Sequence, residues 1–555
     1  MEIALEPQMP TYAGGLGVLA GDTIRAVADL SVPMVAVTLI HRKGYFLQRL
    51  ETDGAQVETS AAWPVEQCLE EMKPRVKVMI EGRPVIIRAW RYVVRGVNGF
   101  TVPVYFLDAD LPENTKSDRA LTDLLYGGDA KYRLSQEIIL GLGGVHMLRA
   151  LEFYAIQRFH MNEGHASLLT LAMLDEQAER TGRWIVGPEE ISRVRQQCVF
   201  TTHTPVPAGH DKFPLDLVER VLGRPEITAM PEIFCYEGKM NLTYIGFNLS
   251  HYVNGVAKKH GEVSRRMFEL YTIDAITNGV HARTWTAPAF QTLFEKYIPQ
   301  WREDSFSLRY AMSIPLPEIW EAHQAAKRRL LELVERQAHV SMDAEVLTLG
   351  FARRVAAYKR ADLLFYDIER LKRIAQTVGK LQVVYAGKAH PHDTSSKDLI
   401  KLVFKAKAAL DSEIRIAYLE NYDMEIGRLM TSGTDIWLNT PLPPLEASGT
   451  SGMKAAINGV PSLSILDGWW VEGHIEGITG WSIGQPDHQP SSTAEERTPQ
   501  DAASLYDKLE QTVIPLFYRQ REQFTAVMRQ AIALNGSFFN THRMVQEYVV
   551  RAYSF

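Results

Sequence analysis

Cysteine is scarce in this chain, with 3 in 555 residues, at Cys68, Cys198 and Cys235. Their number is odd, their spacing is wide and no zinc or redox pattern forms. A disulfide framework is therefore excluded, and a reducing, cytoplasmic setting is expected. Long apolar runs are missing too. The stretch around Val32 to Ile40 is strand-sized, against the roughly 20 residues a membrane helix needs, so no membrane partner is expected. Met1-Glu2-Ile3 lacks the basic start of a secretory leader. Nor is there an excess of positive charge. Lys and Arg number 60 against 66 Asp and Glu, a formal charge of −6, which gives no electrostatic reason to bind nucleic acid. Any anion site must be a local concentration of cations.

What is present is ordinary globular material, 46% hydrophobic and 23% charged, in a chain long enough for two or more cores. Apolar β-rich runs alternate with amphipathic helical stretches, as in an α/β protein. Val76 to Ile80, Val85 to Trp90 and Val102 to Leu107 read as antiparallel strands, followed by helical spacing from Arg119 to Leu151. Strand-loop-helix units follow at Phe153 to Met161 and at Cys198 to Thr202. After a long helical stretch, Glu318 to Gln337, a regular series begins: Val346 to Phe351, Leu381 to Ala386, Ile414 to Leu419, Ile436 to Asn439 and Pro461 to Ile465. All but the last run lead into a helical segment, the pattern of a doubly wound parallel sheet. Gln485 to Gln500 reads as an exposed loop, and Ser504 to Tyr553 as mostly helical.

Ligands of open α/β sheets bind outside the carboxyl ends of the strands. In the second half those ends carry Arg353-Arg354, Lys359, Gly387-Lys388, Glu420-Asn-Tyr422 and the loop before Lys454. In the first half they carry Asn162-Glu-Gly-His165 and Thr202-His-Thr204. The expectation is an α/β protein of two Rossmann-like domains facing a central cleft, the GT-B glycosyltransferase architecture. Residues 1–278 would form one domain and 279–555 the other, with a C-terminal helix crossing back to the first.

Glu446-Ala-Ser-Gly-Thr-Ser-Gly-Met-Lys454 is the most informative segment. It places a lysine one turn into an expected helix after a glycine-rich turn, where outward backbone N–H groups can hold a phosphate. A nucleotide P-loop is excluded, because Met453 separates Gly452 from the lysine and Ala455 stands where a hydroxyl is needed. A surface lysine and an amine condensed with an aldehyde cofactor both stay open at this point. Arg353, Arg354, Lys359 and Arg360 concentrate cations at a strand-to-helix junction against the helix dipole, which points to an anion. His203 after an apolar strand could bond a sugar hydroxyl, but taken alone it reads as a satisfied buried corner. Ala13-Gly-Gly-Leu-Gly-Val-Leu-Ala-Gly21 is a weak signal for a backbone-anion loop. His160 to His165 and His390-Pro-His-Asp393 do not have metal-site spacing, so no metal is expected.

Taken in order, these motifs resemble the α-glucan phosphorylases, the glycogen, starch and maltodextrin phosphorylase family, from near residue 1 to at least Trp470. Glu446 to Lys454, Asn458-Gly459 and Leu466-Asp-Gly468 carry most of the resemblance. Tyr12 to Asp22, Thr202-His-Thr204, Thr277-Asn-Gly279 with Trp285, Tyr358-Lys-Arg360 and Glu420-Asn-Tyr422 support it. The resemblance implies reversible phosphorolysis of terminal α-1,4-linked glucose to α-glucose 1-phosphate. It implies pyridoxal 5′-phosphate on Lys454 as a Schiff base, with Thr450, Ser451, Arg353, Tyr422 and Trp285 around it. Arg354, Lys359 and the Gly14-Gly15 loop would hold inorganic phosphate. His203, Asn278, Tyr358, Glu446, Ser448 and Gly449 match positions that bind the glucosyl unit. Lys454, Arg354, Lys359 and His203 are the implied catalytic set.

Departures accompany the match. Met1 falls just ahead of the Gly loop, so a compact form without the long N-terminal segment of the large enzymes is expected. Arg353 replaces a usual lysine, Ala356 a histidine and Ala13 an asparagine. A homodimer stays open, as do glucan length, direction and effectors. Two other readings compete: a retaining transferase using a nucleotide sugar, and a silent glucan-binding descendant.

Overall fold

The computed structural model describes residues 1–182, 186–205, 210–484 and 494–554. The chain divides into two compact units, one made of Met1–Phe46, Ser60–Thr277 and Val545–Phe555, the other of Leu47–Thr59 and Asn278–Met544. The backbone therefore changes unit at 46/47, 59/60, 277/278 and 544/545.

In the first unit the described strands form two four-stranded sheets and a small antiparallel three-stranded one, Cys235–Tyr236, Lys239–Asn241 and Lys212–Pro214. Ala36–Leu39, Thr101–Asp108, Arg83–Arg95 and Glu70–Ile80 lie side by side in that order, the first pair parallel and the rest antiparallel. Along Glu70–Ile80 exposure alternates, as expected of a sheet with one face in solvent. The second sheet is parallel, in the order Asp274–Ala275, Tyr252–Gly255, Cys198–Thr201, Phe159–Asn162. Cys198–Thr201 is buried at every position, matching its unbroken run Cys-Val-Phe-Thr. Met161 and Phe200 join the main core of this unit. The returning segment bonds to the same sheet. Asn254 Nδ2 donates to the Tyr548 hydroxyl (3.0 Å), and the Tyr553 hydroxyl lies 2.6 Å from His160 Nδ1.

The second unit is a six-stranded parallel sheet: β1 (Leu347–Ala352), β2 (Leu381–Ala386), β3 (Arg415–Leu419), β4 (Ile436–Asn439), β5 (Ser462–Ile465) and β6 (Gly480–Ile483). Their order is β3-β2-β1-β4-β5-β6, a doubly wound arrangement that reverses between β1 and β4. β1, β2, β4 and β5 are buried throughout, as strands covered on both faces are; β1, β2 and β4 are accordingly mostly apolar, while β5, Ser-Leu-Ser-Ile, buries small hydroxyl side chains.

The helices that matter below are α1 (Pro288–Tyr297), α2 (Leu316–Ala338), α3 (Met424–Gly433) and α4 (Ser451–Ile457). α2 buries Ile319, Ala322, Ala326, Leu330 and Val334, the three- and four-residue spacing of a single helical face. It is fixed by a buried ionic centre. Lys327 Nζ donates to Asp435 Oδ2 (2.6 Å), and His323 Nε2 lies 2.8 Å from Asp435 Oδ1.

A hairpin, Leu47–Leu50 with Gln56–Thr59, also belongs to this unit. Gln48 Nε2 donates to the Gly387 carbonyl and Gln56 Nε2 to that of Ala389, each at 2.9 Å. No helix among the described residues is long and apolar enough to cross a membrane.

One expectation needs correction. Of the stretch read as a loop from 485 to 500, residues 485–493 lie outside the described part, but Ala494–Lys508 is helical despite Pro499. Glu495 and Glu496 favour its start, and buried Asp501 pairs with Arg360 at 2.7 Å. A tertiary ion pair thus outweighs the local turn composition.

Candidate active site

In a sheet of this order the ligand crevice lies at the carboxyl ends of the strands where the order reverses, here β1 and β4. Arg353 and Arg354 follow β1 directly, and the Glu446 loop and α4 follow β4. Arg353 Nη2 donates to Glu446 Oε2 (2.9 Å), and Lys359 Nζ donates to the same oxygen (2.5 Å). Burial opposes the charged form of Glu446, but the two cations prevail and hold its pKa down at about 2. Arg353 Nη1 is buried and has no hydrogen-bond partner among the described residues. This donor is left for a further acceptor. Arg354, on the same turn, is exposed. Lys359 Nζ also lies 4.5 Å from the centre of the Tyr358 ring. Tyr422, after β3, has its phenol pKa raised by burial, with Arg353 acting in the opposite direction.

The Glu446 loop is held from behind by Leu466-Asp-Gly468. Asp467 Oδ2 accepts the Glu446 N–H (2.9 Å), its Oδ1 accepts that of Gly468 (2.9 Å), and the Trp469 N–H donates to the Ser448 carbonyl (2.9 Å). Burial, reinforced by the Glu446 charge, raises the Asp467 pKa to about 7. Gly468 is obligatory here: a Cβ would lie 2.3 Å from the Ser448 carbonyl oxygen, and φ is +56°. Gly449, at φ +74°, turns the loop toward α4.

α4 begins at Thr450 without a side-chain cap, so its first-turn N–H groups, starting at Ser451, have no intrahelical acceptor. The Ser451 hydroxyl accepts from Trp437 Nε1 (3.0 Å). Lys454 is buried, its ammonium 3.8 Å from the centre of the Trp285 ring. Asn458 ties this pair together. Its Nδ2 donates to the carbonyls of Trp285 (2.8 Å) and Lys454 (2.9 Å), while its Oδ1 accepts the Ala287 N–H (2.7 Å). Asn278, also in this unit, is buried with Oδ1 unpartnered among the described residues.

In the first unit His203 follows the strand Cys198–Thr201. Its backbone N–H donates to Glu163 Oε2 (2.7 Å), and Nε2 is buried with no partner among the described residues. Burial, with neighbouring histidines adding to it, lowers its pKa to about 3, so the ring is neutral. Glu163 holds the turn through the Thr204 hydroxyl as well (3.1 Å), from a strained φ of +70°.

Gly14 and Gly15 open the helix Gly15–Asp29. A Cβ at either would meet nothing within 4 Å, so their lack of side chains is not required by packing and leaves the backbone open to close approach. The Ala13 and Gly14 N–H groups are taken by Glu2 Oε2, at 2.6 and 3.3 Å. The anion-binding capacity of this loop therefore rests on the N–H groups from Gly15 onward.

Within the second unit, the predicted residues Arg353, Lys359 and Glu446 share one contact, and Lys454 with Trp285 shares another. Three residues outside the predicted set prove central: Glu163, Asp467 and Asn458. Asn458 and Asp467 lie inside motifs that drew attention, but their roles depend on partners distant in sequence.

The sequence model of the carbohydrate phosphorylases matches residues 228–479. Over its whole length the chain is 38% identical to the maltodextrin phosphorylase of Thermococcus litoralis, covering 70% of that protein. It is 36% identical to the glycogen phosphorylases of Mycobacterium tuberculosis and Aquifex aeolicus, again over its whole length, covering 70% and 85% of them. The chain belongs to the carbohydrate phosphorylase family, as its motifs led one to expect.

Proposed function

We propose that this protein is an α-glucan phosphorylase, acting in the cytoplasm. It would transfer the terminal α-1,4-linked glucose of a glucan reversibly to inorganic phosphate, giving α-glucose 1-phosphate with retention. The observation that carries this reading is the second unit's crevice. A buried lysine on a tryptophan face and a buried cluster of two cations on one carboxylate both occupy the strand ends where the sheet order reverses.

The residues present fit pyridoxal 5′-phosphate. Lys454 offers a buried amine against Trp285, the uncapped start of α4 at Thr450 and Ser451 offers N–H groups, and Arg353 offers an unpartnered buried N–H beside Tyr422. When bound, this cofactor supplies a phosphate group that can exchange a proton.

Arg354 and Lys359, with the Gly14-Gly15 backbone, are assigned to inorganic phosphate. Two like unit charges 4 Å apart repel by about 4 kcal/mol at an effective dielectric of 20, so cations are needed to bring a second phosphate close. Glu446, Ser448, Gly449, Tyr358 and Asn278 are assigned to glucosyl hydroxyls. His203 joins them as a neutral ring whose Nε2 has hydrogen-bonding capacity to spare. Inorganic phosphate then gives its proton to the glycosidic oxygen and attacks the same face of the glucosyl carbon, which accounts for retention. No pair of carboxylates is required for this, because phosphate takes both roles of a glycosidase acid and nucleophile.

On this reading the chain has the GT-B architecture, with a glucosyl-side domain in residues 1–278 and a phosphate-side domain in 279–555, apart from Asn278 and the hairpin Leu47–Thr59, which belong to the second unit, and Val545–Phe555, which belongs to the first. The experiment has two readouts. Borohydride reduction and peptide mapping should fix a pyridoxyl group on Lys454, and glucose 1-phosphate should form from maltodextrin only when phosphate is supplied. An unmodified Lys454, or turnover that depends on a nucleotide sugar, would overturn the proposal.

A further inference from the structure

A cavity of about 460 Å³ in the second unit is lined by α1, α2 and α3 and brings together Arg328, Arg329 and Arg428. These arginines are exposed on their helices, and none pairs with a carboxylate among the described residues. Elsewhere in the same unit arginines do find partners: half-buried Arg302 pairs with Glu295 and Arg370 with Asp507, and exposed Arg415 with Asp411. Only one carboxylate, Glu332, stands on the described lining of the cavity, so three guanidinium charges face one opposing charge. In a chain whose net charge is −6 this is a local reversal of sign. The cavity volume is that of a small-metabolite site, since such pockets run from roughly 300 to 1,000 Å³.

Guanidinium groups present a planar fork of donors that matches phosphate oxygens, and several together favour a doubly charged oxyanion over a neutral sugar. Ala325 and Leu429 add an apolar wall against which the body of such a ligand can rest. The first turn of α1, at Ala287 and Pro288, forms another side. That turn is the one joined to Lys454 and Trp285 through Asn458. We propose that this cavity is a binding site for a phosphate monoester metabolite, separate from the residues assigned to inorganic phosphate. The proposal does not rest on the phosphorylase reading.

Isothermal titration calorimetry on the intact protein tests it, with ribose 5-phosphate and uridine 5′-monophosphate as probes. At least one should show a binding event that both Arg329→Gln and Arg428→Gln weaken ten-fold or more. Arg428→Glu, which reverses the charge, should abolish it. Weakening confined to ribose 5-phosphate assigns a sugar phosphate, and weakening confined to uridine 5′-monophosphate assigns a nucleotide. The proposal is overturned if neither probe binds, or if the two glutamine variants bind both probes within ten-fold of the unaltered protein. Both arginines are exposed, and a thermal melt of each glutamine variant matching the unaltered protein assures that lost binding is not lost folding. No turnover is measured, so failure here leaves the assignment of Lys454 untouched, and the reverse also holds.

Discussion

The strand ends of the two units handle buried polarity in opposite ways. In the second unit Glu446 stays ionised at the sheet's reversal point because Arg353 and Lys359 share one of its oxygens. In the first unit burial drives the groups toward neutrality. His203 and His160 are lowered to about 3 and about 4, and the Glu163 carboxyl is raised while it accepts bonds from its own turn. A neutral, hydrogen-bonding surface suits hydroxyl groups, whereas a charge-compensated one suits anions. The division of labour proposed between sugar and phosphate is therefore already present in the electrostatics of each unit taken alone.

The sharpest way to break this comparison is Glu446→Gln, which leaves two buried cations facing a neutral group. Removal of one partner from a buried pair costs about 3–5 kcal/mol, and urea unfolding should show a loss of that order. Millimolar inorganic phosphate should restore part of it; no restoration would mean that the cations do not accept a replacement anion. Next, Lys359→Ala should raise the phosphate requirement of turnover by about 10²-fold, or about 2.7 kcal/mol, with pyridoxal content unchanged. Equal loss of both would contradict its separate role.

Glu163→Gln is the matching change in the first unit. Because that carboxyl is already biased toward its neutral form, the expected cost is only about 1–2 kcal/mol, from one mismatched backbone N–H. A loss as large as that of Glu446→Gln would erase the contrast between the units.

The last test concerns Asp467, whose pKa is raised from 3.8 to about 7. A carboxyl raised on folding adds stability that is full below its unfolded pKa and is lost as pH rises through its folded one. The stability advantage of the unaltered protein over Asp467→Asn should therefore shrink between about pH 4 and pH 7. Glu446 acts at the other end, its contribution lost as pH falls from 4.5 toward 2. An advantage that grew with pH would remove the account given of Asp467.

The second unit was the more legible in sequence because strands buried on both faces leave predominantly apolar runs, as in β1 and β2. β6 escaped because Gly480-Trp-Ser-Ile483 mixes a glycine and a serine into a short edge strand. The hairpin at Leu47–Thr59 shows no local sign of its allegiance, since Gln48 and Gln56 find their partners 339 and 333 residues further on. Lys454, Lys359 and Arg353 were legible as charges near glycine turns. Asp467 was not, because an aspartate before a glycine reads as a surface turn until its burial is known. Glu163 was hidden for a related reason: a left-handed glutamate cannot be told from its neighbours by composition.

The route of the backbone has a consequence for how the protein is made. Tyr548 and Tyr553 reach the ribosome exit only after all of the second unit, yet they close the hydrogen bonds of Asn254 and His160 in the first. Until they arrive, the parallel sheet of the first unit carries buried polar groups without their native partners. The same strand neighbourhood, through Thr201, leads directly to His203. A protease cut near residue 545 would thus be felt at a histidine more than three hundred positions earlier in the chain, and the early part of the molecule ripens last.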